Sequence, residues 1–511
     1  MSLFTLQLPA GVYRNGTAYQ SKGRWYDTQL VRFLEGMILP VGGWETLNED
    51  EGAVVVSGVP RCVIGWRGND GTAWAGIGTN TGLYGYASGS LVDITPTSPD
   101  ALVPGGASAA PSAGGYGTGV YGLGLYGVSS PTATLTPPSV WTLDTFGDYL
   151  VGVLHPSDGY LWIWDRVPSN EATQVVDTAY SDNTPTQNRA VVVTPERFLM
   201  VLGTYDPDTA GPNVRRVKWA SQESFEDWTP TSLNTAGDFD LETNGALVAG
   251  ARARQETLLW TDVDMHTAQY IGGTLVYAFR KVGDHCGLIA PNAKALFEGG
   301  AAWMSDTGFF VYDGFVKQLD CDVFDYVFGD INLVQKAKIW CQSNARYGEL
   351  WWFYPSGLSD EIDRYVIWNY RENHWAIGQL ERTAGCDQGA FLTPLMFDAD
   401  GNGYKHETGY AHSGLLASLQ SGPIELSEGE RVMHVQYMYP DEQTVGEVTG
   451  SLTSRFYPTD TATVSASFNM ANPTSLRVTG RQVQLAVTAT ADDTDWRLGL
   501  PRFVVTAGGM R

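Results

Sequence analysis

The segment that spans residues 345–378 constrains the fold of this chain more than any other. It contains the apolar run ELWWFY at Glu349–Tyr354, a Pro-Ser-Gly turn, a second aromatic run at 365–370 and a third, short run at 375–377. Aromatic and β-branched runs of this length, separated by polar turns, predict antiparallel strands. Large apolar side chains on both faces of such a sheet have to be covered, so the sheet has to stack on similar sheets. The segment therefore predicts one blade of a β-propeller.

The composition indicates a turn-dense, mainly β chain. Of 511 residues, 43% are apolar, 12% aromatic and only 17% charged, with 59 Gly and 25 Pro. This composition is typical of neither a helical bundle nor a disordered chain. Apolar hairpins recur at irregular intervals, for example at 146–165 and 303–315. We therefore predict an irregular β-propeller with an additional β-sandwich-like region and few short helices, the best helix candidates being 292–297 and 332–340.

The order of these patterns divides the chain into five predicted segments. They are an N-terminal docking arm (1–45), a β meander (46–94), a Gly/Pro/Ser-rich loop or linker (95–140), the irregular propeller (141–425) and a C-terminal strand region (426–511). The last region alternates polar and apolar residues, which is typical of a sandwich. The alternation leaves open whether that region is a separate domain or closes the propeller.

The charge balance argues against one class of function. Thirty-two Lys and Arg face 56 Asp and Glu, a formal net charge of −24, whereas phosphate neutralisation needs clustered cations. An acidic wall can still let DNA slide past, because the repulsion acts only within a Debye length of about 8 Å. The exception is residues 11–45, where Arg14, Lys22, Arg24 and Arg32 stand among aromatic residues. We interpret this stretch as an arm that docks on a partner subunit rather than as a nucleic-acid surface.

The cysteines and the N-terminal residues indicate no export or membrane signal. Five scattered cysteines without CxxC spacing predict reduced, buried thiols: Cys62, Cys286, Cys321, Cys341 and Cys386. The first residues lack a basic segment followed by an apolar one, and no stretch approaches about 18 uninterrupted apolar residues.

Two motifs suggest ligand sites. Two overlapping GxGxxG matches lie within residues 117–127, but neither follows an apolar strand or opens a helix, so no dinucleotide site is predicted. Asp398, Asp400 and Asn402 alternate as in the first half of a calcium loop. However, Gly409 stands where the bidentate Glu belongs, and a hairpin turn explains the same residues. We favour the turn and leave ion binding open.

Catalytic patterns are equally sparse. Asp238, Asp240 and Glu242 share one strand face by their spacing, which is compatible with paired-carboxylate hydrolysis, but we favour the solvated face of a half-buried strand. SDTGFFVY at 305–312 resembles an Asp-box turn, which marks a turn and not a catalyst. Seven dispersed histidines show no metal-ligand spacing. The sequence predicts no enzyme, no catalytic residue, no cofactor and no metal.

Five segments resemble, in order, the nozzle (tail tubular protein B) family of short-tailed bacteriophages, the podoviruses: YRNGTAYQSKGRWYD, RVKWASQESFEDWTP, WMSDTGFFVYDG, DRYVIWNY and WRLGLPRFVVTAGGMR. The likeness extends over nearly the whole chain. It implies a structural virion protein, an irregular propeller with extra β domains, assembled in the host cytoplasm as a homohexameric ring. The implied partners are an adaptor ring above it, tail fibre or tailspike proteins, and double-stranded DNA that is ejected through the lumen without specific binding. The alternative is a receptor- or glycan-binding tail-associated β-propeller.

Overall fold

The computed structural model describes residues 2–49, 52–98, 101–111, 135–157, 159–178, 180–207, 211–273, 275–443, 446–470 and 473–509. Within these ranges, seven four-stranded antiparallel sheets follow one another as blades of a ring. Neighbouring inner strands contact each other around the ring, except between blades 4 and 5, whose contacts include Trp260 against Trp303, with ring centroids 5.5 Å apart. The chain is therefore mainly β, with a seven-bladed β-propeller, and the predicted fold class is confirmed.

The blades have the following strands, each blade running from its innermost to its outermost strand. They are blade 1, Pro60–Arg67, Ala73–Thr79, Leu83–Ala87 and Ser90–Asp93; blade 2, Val140–Phe146, Tyr149–His155, Leu161–Trp164 and Thr173–Gln174; blade 3, Ala190–Val193, Leu199–Leu202, Arg216–Trp219 and Gly237–Asp240; blade 4, Leu247–Arg252, Thr257–Thr261, Met265–Gly272 and Val276–Gly283; blade 5, Lys294–Phe297, Gly300–Ser305, Gly308–Tyr312 and Val316–Gln318; blade 6, Trp340–Asn344, Glu349–Tyr354, Arg364–Asn369 and His374–Gln379; and blade 7, Ala384–Cys386, Leu395–Phe397, Gly403–His406 and Trp44–Thr46.

An N-terminal strand closes the ring. Trp44–Thr46 is the outer strand of blade 7 and pairs antiparallel with Gly403–His406, Trp44 lying opposite His406. The ring thus begins before residue 141 and ends before residue 425, the limits predicted from the sequence. The predicted meander of 46–94 supplies blade 1. Closure by a strand from the other end of the chain removes the open edges that a linear array of sheets would leave.

Blade 6 contains the aromatic segment from which the propeller was predicted. The three predicted strands are present, and Trp340–Asn344 adds a fourth on the inner side. Every residue of Glu349–Tyr354 is buried, because neighbouring blades and the N-terminal arm cover the sheet.

One of the two predicted helices was wrong, and the other is present as a 3₁₀ helix. Residues 292–297 contain the inner strand Lys294–Phe297, which forms a hairpin with Gly300–Ser305 through a turn that includes Gly299 and Gly300. Residues 332–340 contain the 3₁₀ helix Leu333–Lys338, which confirms a short helix there, and a strand begins at Trp340. At residues 294–297, sheet pairing outweighs local helix propensity.

Both ends of the chain build a β-sandwich beside the propeller. One sheet contains Ser2–Thr5, Arg502–Ala507, Met433–Tyr439 and Thr474–Gly480; the other contains Trp25–Gln29, Ser418–Ser421, Gln482–Ala489, Val448–Arg455 and Thr463–Val464, with Ile424–Glu425 and Phe468–Asn469 beside it. In the described ranges, all strands from residue 418 onward pair within these two sheets. Met433 and Phe503 of the first sheet face Leu452 and Val483 of the second across the interior.

One continuous apolar core joins the sandwich to the propeller. It runs from Trp352 of blade 6 through Trp25 and Phe33 of the N-terminal segment to Leu485 and Val505 of the sandwich. The propeller and sandwich are therefore not independent units.

The remaining regular elements are short. They are the α-helix Phe324–Phe328, the 3₁₀ turns Ala18–Ser21, Ser181–Asn183 and Ser427–Gly429, and the two-stranded ribbons Val31–Leu34 with Met37–Pro40, Asn48–Glu49 with Gly52–Ala53, Ala110–Pro111 with Leu135–Thr136, and Tyr205–Asp206 with Gly211–Pro212. Both GxGxxG matches lie in residues 112–134, outside the described residues. None of the helices in the described part of the chain has the length and apolarity that a membrane crossing demands.

Candidate functional site

The axis of the propeller is the first place to look for a ligand, because the inner strands of all blades converge there. A cavity of about 160 Å³ lies at the end where these strands begin. The side chain of Asn292, from blade 5, donates to the carbonyl oxygens of Arg61 and Trp141, each at 3.0 Å. This amide ties blade 5 to blades 1 and 2 and leaves a space equal to about five water molecules, taking about 30 Å³ for each.

A lysine lies in this cavity. Lys294 Nζ donates to the carbonyl oxygen of Pro291 at 2.7 Å, and burial lowers the pKa of Lys294 to about 8. Burial also raises the pKa of the neighbouring Cys62 thiol to about 11. Near neutral pH the cavity therefore holds a mostly protonated lysine beside a protonated thiol. A lysine with this pKa is compatible with binding a small anion and with proton transfer.

A strap made of residues 102–111 crosses this end of the axis. At blade 1, the backbone amide of Gly105 donates to the carbonyl oxygen of Asn80 at 2.7 Å. On the far side, the amide of Ala109 donates to Gln335 Oε1 at 3.0 Å, and Lys338 Nζ donates to Ser108 Oγ at 3.0 Å. The strap thus connects blade 1 with the residues that lead into blade 6, two blades away in the ring.

A buried ion cluster lies beneath the strap. Arg61 donates to both carboxylate oxygens of Glu361 at 2.7 Å, and Lys338 lies 3.0 Å from the same carboxylate. Burial acts to raise the pKa of Glu361, but Arg61 and Lys338 outweigh it and the pKa is lowered. The cluster is a fixed structural joint between blades 1 and 6.

The calcium-like residues form a hairpin turn. Asp398 Oδ1 accepts the amides of Asp400 at 3.0 Å and Asn402 at 2.9 Å, while Oδ2 accepts the Tyr404 hydroxyl at 2.8 Å. Both oxygens already have donors. Within the described ranges, no three His, Cys, Asp or Glu side chains converge as they would around a metal ion.

This turn gives a testable prediction. Asp398→Ala removes the shared acceptor, and we expect a loss of about 1–3 kcal/mol in the free energy of unfolding. Asp400→Ala, at an exposed position in the same turn, should change it by less than about 0.5 kcal/mol. Thermal melts of the wild type should coincide in calcium and in chelator. A calcium-dependent rise of the melting temperature that Asp398→Ala abolishes would instead reveal an ion site.

The alternating carboxylates of blade 3 surround an arginine. Asp238 and Asp240 lie on the outer strand Gly237–Asp240, and Arg216 Nε lies 3.7 Å from the first carboxylate and 2.8 Å from the second. Glu242 follows the strand. Arg216 therefore forms ion pairs with two exposed carboxylates at the edge of blade 3. This arrangement fits an edge ion pair better than a pair of carboxylates that hydrolyses a substrate.

The basic residues of the N-terminal arm bind carboxylates of their own chain. These pairs give the cations a role within the chain, and docking of the arm on a partner subunit stays a prediction. The pairs are Arg14 with Asp27 at 3.1 Å, Lys22 with Glu428 at 2.8 Å, Arg24 with Asp322 at 2.7 Å and Arg32 with Glu349 at 2.6 Å.

The last of these pairs belongs to a buried cluster that the sequence reasoning missed. Arg32 donates to Glu349 of blade 6 and, at 2.6 Å, to Glu407 beside blade 7, and its guanidinium carbon lies 3.5 Å from the centroid of the Tyr347 ring. Its side chain is only 1% exposed. The available signal was a lone cation in the otherwise apolar stretch LVRFL and a lone carboxylate at the start of ELWWFY.

Comparisons with known proteins place the chain in no family. No family model matches it, and no curated protein matches it. Among solved structures, it is similar to two structures of the extracellular domain of BT4673 from B. thetaiotaomicron, described as a one-component system in one and a hybrid two-component system in the other. The TM-scores are 0.28 and 0.30, at 13% and 12% identity, over 73% and 74% of this chain.

A third similar structure is an exo-β-1,3-galactanase from Phanerochaete chrysosporium with β-1,3-galactotriose, with a TM-score of 0.23 and 7% identity over 71% of this chain and 95% of that one. This chain spans only 45% and 46% of the two BT4673 domains. Likenesses this distant carry no argument about ligand or activity.

Proposed function

We propose that this chain is a structural subunit of the tail nozzle of a short-tailed bacteriophage. In this proposal identical copies, six by the family resemblance, form a ring below an adaptor ring. Fibre or tailspike proteins attach to it, and the genome leaves through its lumen. The observation that carries the proposal is the apolar core that runs from blades 4–7 of the propeller through the arm into the sandwich, because a conduit wall has to keep its shape while DNA passes.

The distribution of charge supports a wall that does not hold DNA. Among the described residues, five cations and five carboxylates are buried and balance each other, so the net charge of −24 resides in the rest of the chain. Carboxylates on a lumen repel phosphates at short range and leave no cation cluster to retain them.

The path of the DNA has to lie between copies. The cavity at the propeller axis measures about 160 Å³ and is crossed by Asn292 and covered by the strap, so it has no room for a duplex. The proposed conduit therefore depends on assembly of several chains around a common lumen.

Electron microscopy of the purified chain, alone and mixed with the other tail proteins of its source particle, tests this function. We expect a closed ring whose opening admits duplex DNA, and no retention of DNA by the ring at physiological salt. Single propellers that never join a ring would overturn the proposal. A glycan array on the isolated chain would then test the alternative of a receptor- or glycan-binding propeller.

A structural role also predicts the effect of removing the blade 3 carboxylates. Asp238→Asn with Asp240→Asn breaks an exposed ion pair, so we expect less than about 1 kcal/mol of destabilisation and nearly unchanged phage infectivity. Asp398→Asn is the comparison variant. Because the Asp398 carboxylate accepts more hydrogen bonds, we expect this variant to lower the free energy of unfolding more than the blade 3 variant does. Loss of a measured polysaccharide-hydrolysing rate in the blade 3 variant would support an enzyme instead.

A further inference from the structure

The outer hairpin of blade 4 projects beyond its own sheet. Its strands Met265–Gly272 and Val276–Gly283 pair along their length, but the next strand inward pairs only as far as Ala268. At the turn, Gly272 and Gly273 adopt φ values of +67° and +69°, which favour glycine. The distal part forms a two-stranded ribbon that packs against blade 3, where the ring centroids of Tyr270 and Phe198 are 5.8 Å apart.

The ribbon carries an exposed apolar tip on a rigid base. Tyr270, Ile271 and Leu275 are 39%, 52% and 71% exposed, and we name these three residues the tip. Directly opposite Tyr270 in the hairpin, the buried Tyr277 donates its hydroxyl to Thr194 Oγ1 of blade 3 at 2.8 Å and packs edge-on against rings of that blade. The tip is therefore fixed on the side of blade 4 that faces blade 3.

A groove with a mixed lining lies on the opposite side of blade 4. It occupies about 600 Å³ between residues 252–258 of blade 4 and residues 296–301 of blade 5. Its apolar lining residues include Leu258, Phe297 and the 42% exposed Leu296, and its charged ones are Arg252, Arg254, Glu256, Glu298 and Asp313. The groove exists because the inner strands of these two blades have the sparsest contact of any neighbouring pair in the ring.

We propose that the tip of one copy docks in the groove of a second copy, so that copies join head to tail. The chemistry selects this occupant. Two copies of net charge −24 repel each other less where one of them presents uncharged surface, and residues 269–279 contain no charged side chain, so the tip can reach the apolar part of the groove lining without adding charge. Exposed apolar groups held rigidly together mark an interaction site. This inference rests on the proposed ring and assigns its interface.

The positions of tip and groove also fit a ring. They lie on opposite sides of the same blade, so each copy presents one to each neighbour. A contact between two different surfaces repeats from copy to copy and closes into a ring when the rotation permits. A two-fold contact would instead bring tip against tip.

Cysteine cross-linking distinguishes these arrangements. Leu275→Cys places a thiol on the tip, and Gln255→Cys places one at the groove, where Gln255 is exposed. We expect a disulfide-linked dimer when the two single variants are mixed and oxidised, and none when either is oxidised alone. The native thiols compete poorly because burial raises the pKa of Cys286 to about 11 and of Cys386 to about 12. A dimer from Leu275→Cys alone, or none from the mixture, overturns the inference.

Charge insertion gives an independent measurement. Leu275→Asp and Leu296→Asp should each lower the fraction of assembled chain at least tenfold by mass photometry, with unchanged melting of the unassembled chain. Leu233→Asp and Leu358→Asp make the same change at fully exposed positions on other loops and should leave assembly intact. If Leu275→Asp and Leu296→Asp both assemble into rings as the wild type does, the proposed interface is wrong and the proposed function stands. If the wild type never assembles, both fall.

Discussion

Deletion of residues 1–47 is expected to abolish cooperative folding of both the propeller and the sandwich. The deletion removes the strand that closes blade 7 and one strand from each sandwich sheet. It also removes Trp25, Phe33 and Trp44, which are 4%, 2% and 6% exposed. Burial of each such side chain stabilises by about 1.5–3 kcal/mol, and whole domains are stable by only about 5–15 kcal/mol. The lost burial is therefore comparable with the total stability.

Circular dichroism melts and limited proteolysis measure this effect. The truncated chain should melt without a sharp transition and should be cleaved in the sandwich strands. Met37→Ala, which alters an exposed side chain of the same segment, should shift the free energy of unfolding by less than about 0.5 kcal/mol. A synthetic peptide of residues 1–47 added in trans should restore part of the transition, because its strands can pair with the open sheet edges. A truncated chain that melts cooperatively at the wild-type temperature would contradict the expectation.

The strand character of blade 6 could be predicted from the sequence because its signal is local. ELWWFY and the aromatic run after it place large side chains on both faces of adjacent strands, and only stacking between sheets covers both. The hairpin at Asp398 was readable for the same reason, since Asp and Asn side chains capture amides two to four residues away.

The closure of the ring could not be predicted because its signal is not local. Trp44–Thr46 contains three residues and pairs with Gly403–His406. Neither segment contains a sequence pattern that indicates the other as its pairing partner. The carboxylate partners of the basic arm within the chain could not be predicted for a related reason. A cation in a sequence looks the same whether its carboxylate partner lies on another subunit or, as for Arg24 and Asp322, 298 residues away in the same chain. No sequence pattern indicated that Lys294 lies at the propeller axis, because its burial results from the way the blades converge.

Replacement of Arg32 is expected to destabilise the chain far more than replacement of an exposed arginine. Arg32→Met leaves the carboxylates of Glu349 and Glu407, which are 2% and 7% exposed, without their cation. Removing one partner of a buried ion pair costs about 3–5 kcal/mol because the remaining charge is desolvated and uncompensated. Arg197→Met breaks the Arg197–Glu223 pair, which is about half exposed on each side, and should cost less than about 1 kcal/mol. Urea unfolding at pH 7 compares the two variants.

The dependence on pH separates lost charge pairing from lost packing. Burial acts to raise the pKa of Glu407, but Arg32 outweighs it and holds the pKa below its usual range. In the wild type this carboxylate therefore stabilises the fold above its unfolded pKa of about 4.3, and the contribution is lost as the pH falls through the folded pKa. Without Arg32, burial raises the pKa of Glu407, so acid protonates it and removes the buried charge. The gap in the free energy of unfolding between Arg32→Met and wild type should thus narrow as the pH falls from 7 towards 5.

The triple variant Arg32→Met, Glu349→Gln, Glu407→Gln should recover most of the loss at pH 7, because it buries no unpaired charge. If the gap is the same at every pH and the triple variant recovers nothing, the contribution of Arg32 is the packing of its side chain against Tyr347 and not its charge.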